Sequence, residues 1–143
     1  MRAFDPDTRI AARAGAPALR ASGEWLHPHA WLTVFLPERA TARLVGAVLA
    51  EQGTADLGNS GLALRYPIPT ERLRTPLARL PDPDLVWLFA LRTADADNTA
   101  AGPTMIRANR SVYDRVVAGG GVGYPINALP MSAADWAAHF GPR

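Results

Sequence analysis

The chain has 143 residues, of which 48% are hydrophobic and 20% charged, with a formal net charge of +2. That suits one globular domain with a real core and excludes a disordered charged tail; no apolar run reaches the ~20 residues of a membrane-spanning helix. The opening MRAFDPDTRIAARAGAP has no stretch of signal-peptide type, so a soluble, cytoplasmic domain is expected.

Residues 1–24 read as a helical or irregular lead-in, with a short helix from Ala16 to Trp25 and Gly23 near its end. Trp31 to Leu36 is aromatic and β-branched and bounded by prolines, which predicts a strand. Pro37 ends it and suits the first turn of a helix. From Glu38 to Gln52, residues Ala40, Leu44, Val45, Val48 and Leu49 fall on one side of that helix. Asp56 to Gly61 reads as a loop. Leu62 to Tyr66 reads as a second strand closed by Pro67 and Pro69, and Ile68 to Asp84 as largely irregular, because proline breaks helices and ladders alike.

Asp84 to Leu91 is the strongest strand, nearly all apolar, with both faces expected to be covered. After a loop from Asp95 to Gly102, Pro103 to Ala118 predicts a helix turning Met105, Ile106, Val112, Tyr113, Val116 and Val117 inward. Gly119-Gly120-Gly121 ends it. A short strand follows from about Gly123 to Ile126, and Ser132 opens a last helix through His139. The order strand, helix, strand, strand, helix, strand predicts an α+β fold: a ferredoxin-like split-βαβ antiparallel sheet with helices on one face. The other face must then meet a ligand or a second domain.

Tests for self-contained chemistry fail one after another. All 15 basic residues are Arg, and they are scattered, whereas a phosphate-binding stripe needs clustering; nucleic-acid binding is not expected. The absence of Cys rules out disulfides, thiol catalysis and Cys-ligated zinc. His27 and His29 flank Pro28 without further ligands at metal spacing, so no metal site is expected. No Ser lies in a G-x-S-x-G elbow. The Gly119–Gly123 run follows a helix rather than preceding one, which suits a helix stop better than a phosphate loop. Asp82 and Asp84 sit in a proline-bounded turn and read as turn chemistry. Asn109 lies on the inward face of its helix, where an amide needs partners; bracing to a strand or loop explains it better than ligand contact.

Several segments, in order, resemble the C-terminal substrate domain of the cytokinin dehydrogenase family. Pro28-His29-Ala30-Trp31-Leu32-Thr33-Val34-Phe35-Leu36-Pro37 resembles its P-H-P-W-L-N-x-F-V-P segment. Leu64-Arg65-Tyr66-Pro67 resembles its strand ending in Tyr-Pro, and Pro83 to Arg92 its acidic turn and long apolar strand. Ala108-Asn109-Arg110 with Tyr113 resembles its Asn-Arg helix, and Asp135-Trp136 through His139-Phe140-Gly141 its D-W-x-x-H-F-G segment. Thr33 replaces the family's Asn, Ala30 its Pro, and Arg92 an apolar residue.

The resemblance implies an FAD-dependent oxidoreductase acting on the secondary amine of N6-substituted adenines. Residues 25–143 would be a truncated substrate-binding domain that covers a flavin shared with an absent N-terminal domain. It implies a substrate-binding set of His29, Trp31, Leu91 and Arg92, and flavin contacts at Tyr124, Pro125 and Ile126. No catalytic residue maps onto this chain. The expected partners are a small-molecule substrate and an FAD-binding domain in cis or in trans, with no nucleic acid and no membrane; alone, the chain is expected to bind FAD poorly and not to oxidise cytokinins. Two other readings stay open: a stand-alone adenine-derivative binding module, and the equivalent domain of a flavin oxidase acting on an alcohol or sugar.

Overall fold

A computed structural model describes residues 17–52, 57, 61–75, 78–82, 84–94 and 102–141. The elements are β1 (His29–Pro37), α1 (Glu38–Glu51), β2 (Leu62–Pro69), β3 (Leu85–Ala94), α2 (Gly102–Ala118), β4 (Val122–Gly123) and α3 (Ala133–Phe140). Among the described residues, four strands form one sheet in the order β2-β3-β1-β4. Every neighbouring pair is antiparallel. This is the α+β, split-βαβ arrangement that the element order predicts. Most residues of the loops expected at Asp56–Gly61 and Asp95–Gly102 lie outside the described residues, as does the chain before Pro17.

The core lies on one face of the sheet. Leu32, Val34 and Leu36 of β1 and Phe89 and Leu91 of β3 pack with Leu44, Val45 and Val48 of α1 and Val112, Tyr113 and Val116 of α2. Strand side chains alternate between faces, so this set fixes which half of each strand meets the helices. Three residues read as inward-facing sit at the margins of the helix stripes: Leu49, Ile106 and Val117 are 42%, 36% and 50% exposed.

The chain's turns follow from local chemistry. Pro37 has φ −69° and ψ 146° and passes β1 directly into α1, where Thr41 Oγ1 donates to its carbonyl at 3.0 Å. Asp82 Oδ1 accepts from the Asp84 amide at 3.1 Å, the turn role its position suggests. At the end of α2, Gly121 N–H donates to Val116 O at 2.8 Å and Gly120 N–H to Val117 O at 2.9 Å. With Gly120 at φ 80°, this is a Schellman stop. A Cβ on Gly121 would come within 2.8 Å of Phe35 O and 2.7 Å of a Val116 methyl. The glycine run is therefore used by the fold itself.

All four strands differ from expectation in their bounds: β1 runs longer, His29–Pro37, β3 continues to Ala94, and β2 and β4 depart further. β2 runs through Pro67 and Pro69, both within its ladder to β3. It is an edge strand, and proline is tolerated where the missing N–H would face outward. β4 covers only Val122–Gly123. Beyond it, residues 124–128 are held to β1 by other means.

Phe89 is 1% exposed within the core and Ile126 is 76% exposed on the far side. Phe89→Ala is expected to cost about 3–5 kcal/mol and Ile126→Ala under about 0.5 kcal/mol, both read from urea unfolding midpoints.

Candidate functional site

The helix-free face carries the alternate residues. His29, Trp31, Thr33 and Phe35 of β1 lie across from Ala94, Arg92, Ala90 and Leu88 of β3. Leu62, Leu64, Tyr66 and Ile68 of β2 continue the same rows. Leu64 and Tyr66 are 38% and 46% exposed, and beyond β4 Tyr124 is 39% exposed. Around the buried Thr33, Phe35 and Ala90, these large side chains point away from the core and stay open to solvent, an apolar patch of the kind found at interaction surfaces.

Trp31 is the centre of this face. Its indole Nε1 donates to Thr33 Oγ1 at 2.7 Å, two residues along the same side of the strand. That bond satisfies the ring's polar atom and holds the indole in place. The Arg92 guanidinium carbon lies 5.4 Å from the indole centroid, a cation–π contact across the β1–β3 ladder. His29 stands at the start of β1 on the same face, half-buried, its Nε2 buried with no protein partner among the described residues.

The loop after β4 completes the site. Tyr124 N–H donates to Thr33 O at 2.9 Å, and Ala128 N–H to Trp31 O at 2.7 Å. Between them Asn127 acts as a side-chain substitute for a strand residue. Its Oδ1 accepts the Thr33 amide, and its Nδ2 donates to Thr33 O at 3.0 Å and to Tyr124 O at 2.6 Å. Asn109, 2% exposed, donates from α2 to Ala128 O at 3.0 Å, the bracing role expected of it. The Tyr124 ring meets Phe35 edge-to-face at 5.9 Å. The outcome is a depression of about 300 Å³ lined by Trp31, Thr33, Tyr124, Ile126, Asn127 and Ala128.

The structure thus unites Trp31 with Tyr124 and Ile126 around one hollow and puts His29 and Arg92 on the same face. It does not bring in Leu91. That residue is 1% exposed in the helix-side core, because it neighbours Arg92 in a strand and so points the opposite way. Pro125 faces a small cavity behind the loop instead of the depression. Asn127 is the residue that sequence reasoning passed over; its signal was an Asn in a proline-containing loop just past a strand, a place where a side-chain amide replaces missing ladder bonds.

The last helix is anchored to α2 and the loop. Ser132 and Asp135 form a capping box at its start. Arg110 clamps Asp135 with two bonds of 2.8 and 3.0 Å and donates to Pro130 O at 3.0 Å and Asp114 at 2.8 Å. The Arg110 guanidinium, then the Ser132 amide and hydroxyl, hold the Asp135 carboxyl well below the usual carboxylate range. His139, 8% exposed, packs edge-to-face on Phe140 and Trp136. Burial, and secondarily the charge of Arg79, push its imidazole below the ordinary histidine value. Among the described residues no group of three or more His, Cys, Asp or Glu is placed to hold a metal, and no helix is long and apolar enough to cross a membrane.

An antiparallel sheet with helices on one side and an aromatic-lined hollow on the other defines the chain as an α+β domain. The family model "Cytokinin dehydrogenase 1, FAD and cytokinin binding" matches residues 9–143. The "Uncharacterized oxidoreductase ORF5 in fasciation locus" of Rhodococcoides fascians is 40% identical over 126 residues, 87% of this chain and 28% of that protein. Cytokinin dehydrogenase 10 of Oryza sativa subsp. japonica is 32% identical over 132 residues, 87% of this chain and 24% of that protein. The chain belongs to this family of FAD- and cytokinin-binding domains from cytokinin dehydrogenase-type oxidoreductases, whose cofactor is FAD. It spans about a quarter of the length of the curated relatives it matches.

Two predictions follow from these bonds. Asn127→Ala leaves the Thr33 amide and carbonyl without their side-chain partner and is expected to cost about 1–3 kcal/mol, with faster hydrogen exchange at Tyr124 and Ala128. Acid should destabilise the fold in two steps. His139 has a folded-state pKa below its unfolded value, so the unfolded chain gains the proton first, and stability falls as pH drops below about 6.5. Asp135 is likewise depressed, so its contribution is present above about pH 4 and is lost only as pH falls further. Urea unfolding across that pH range, with His139→Leu lacking the first step and Asp135→Asn lacking the second, checks the assignment.

Proposed function

We propose that this chain is the substrate-side, ring-covering domain of an FAD-dependent dehydrogenase of N6-substituted adenines, working with a flavin-holding domain supplied in cis or in trans. The observation that carries the reading is the hollow on the helix-free face, where Trp31 meets Tyr124 and Ile126. A planar purine or flavin needs a flat apolar wall with few unsatisfied polar atoms, and the polar groups here, the Trp31 indole N–H and the Asn127 amide, are already bonded to Thr33.

The donor set fits the ring portion of FAD. Trp31, Tyr124 and Ile126 supply the surface against which an isoalloxazine or adenine ring stacks, and His29 and Arg92 border it with polar groups. The glycine run is used to end α2 and is not assigned a part in holding the cofactor. Bound FAD supplies the two-electron acceptor for amine oxidation. This chain's residues would orient the ring and exclude water from the covered face.

The expected behaviour is specific. Calorimetric titration with isopentenyl adenine should give binding that weakens about tenfold or more in Trp31→Ala, corresponding to about 1.4 kcal/mol. Leu91→Met, on the core side, should leave affinity unchanged. Alone, the chain should bind FAD weakly and leave cytokinin unoxidised, and co-expression with a flavin-holding domain should give a yellow, active complex. Equal affinity in the wild type and Trp31→Ala, or a complex that forms equally well with Asp at positions 124 and 126, contradicts the reading.

A further inference from the structure

Three hollows adjoin at the β4 edge of the sheet. The first is the depression on the ligand face, which includes Tyr124 and Asn127. Behind it lies a cavity of about 20 Å³ that shares those two residues and is closed by Tyr113, Met131, Trp136 and His139, among others. A third, about 250 Å³, shares Tyr113 and His139 with that cavity and opens on the helix side among Arg79, Arg110, Asp114 and Asp135. Tyr124 and Asn127 therefore stand between the first and second hollows, and Tyr113 and His139 between the second and third.

His139 is the unusual member of this wall. It is more than nine-tenths buried, and its Nε2 has no protein partner among the described residues. Its ring is fixed by edge contacts to Phe140 at 4.6 Å and Trp136 at 5.9 Å, so it is not free to swing out to solvent. Buried polar atoms of this kind are met by protein or by ordered water. The middle cavity exceeds the ~10–15 Å³ that one water needs and falls far short of any larger ligand. The residues lining it carry groups with which a water can pair: the unpartnered imidazole nitrogen of His139 and the phenol of Tyr113.

We propose that the middle cavity is a one-water site, and that the water held there by His139 links solvent on the helix side to the back of the loop that lines the ligand face. The water joins α3 to the loop carrying Tyr124 and Ile126. It gives that loop a path for water exchange when its front is covered, a consequence that rests on the ligand-face reading above. The site itself does not depend on that reading, since it is defined without any bound ligand.

The test uses the chain alone in solution by NMR. A water–protein Overhauser cross-peak with the sign of a long-lived water is expected at the Tyr113 ring protons. It should be lost in His139→Leu, which removes the polar nitrogen, and kept in His139→Gln, which restores a polar side chain. In His139→Leu, the Asn127 side-chain amide protons should also exchange with solvent more slowly than in the wild type. If His139→Leu fails to fold, the wild-type and His139→Gln spectra decide the matter. Absence of the cross-peak in the wild type overturns the site, as does its persistence in a folded His139→Leu. Unchanged Asn127 exchange in that variant overturns the link. Failure of the chain to bind adenines, with the cross-peak present, would count against the function proposed above and leave the water site standing.

Discussion

The pairing of β1 with β3 is the constraint on which the rest depends. Opposing Leu32 to Leu91 and Val34 to Phe89 commits those four side chains to the helices. By the same register, Trp31 must oppose Arg92 and Thr33 must oppose Ala90 on the other side. A slip of one residue would bring the tryptophan into the core and expose the leucines, a loss of several buried apolar side chains at about 1.5–3 kcal/mol each. The helix-free face is therefore a by-product of core formation: the hydrophobic set that drives folding also decides which aromatic groups remain available.

What the register does not decide is the shape of the β4 edge, and there hydrogen bonds take over. A two-residue strand gives little ladder, so the following loop is tied by Asn127 to Thr33, by Ala128 to Trp31, and by Asn109 to Ala128. Two of these ties join the loop to β1 and the third joins it to α2. Arg110, one residue after Asn109, extends the same bracing to α3 through Asp135 and Pro130. The Asn-Arg pair on α2 thus holds both segments that follow β4. A polar network of this kind is stable only when its members are satisfied, and most of its atoms are satisfied within the chain.

The sequence was informative where periodicity was long and unbroken. The aromatic and β-branched run of Trp31–Leu36, the apolar run of Leu85–Leu91 and the helical spacing of α1 and α2 each point to one element type, and the structure contains each of them. It misled at the margins. Pro67 and Pro69 looked like strand breakers because nothing in the local sequence marks β2 as an edge strand. Leu91 was grouped with Arg92 by family motif, although neighbours in a strand face opposite ways. Asn127 escaped notice because its role depends on Thr33, 94 residues away in sequence, and pairings of that kind are written in the fold rather than in a motif.

The role proposed for the helix-free face is to be the surface presented to a flat ring. Chemical-shift mapping of the labelled chain during titration with lumiflavin or an N6-substituted adenine tests it most directly. The account predicts shifts concentrated at Trp31, Thr33, Tyr124 and Ile126, with Leu44, Val48 and Val116 on the helix side unmoved. Shifts centred on the helix side, with the Trp31 indole proton unperturbed at saturation, would contradict it.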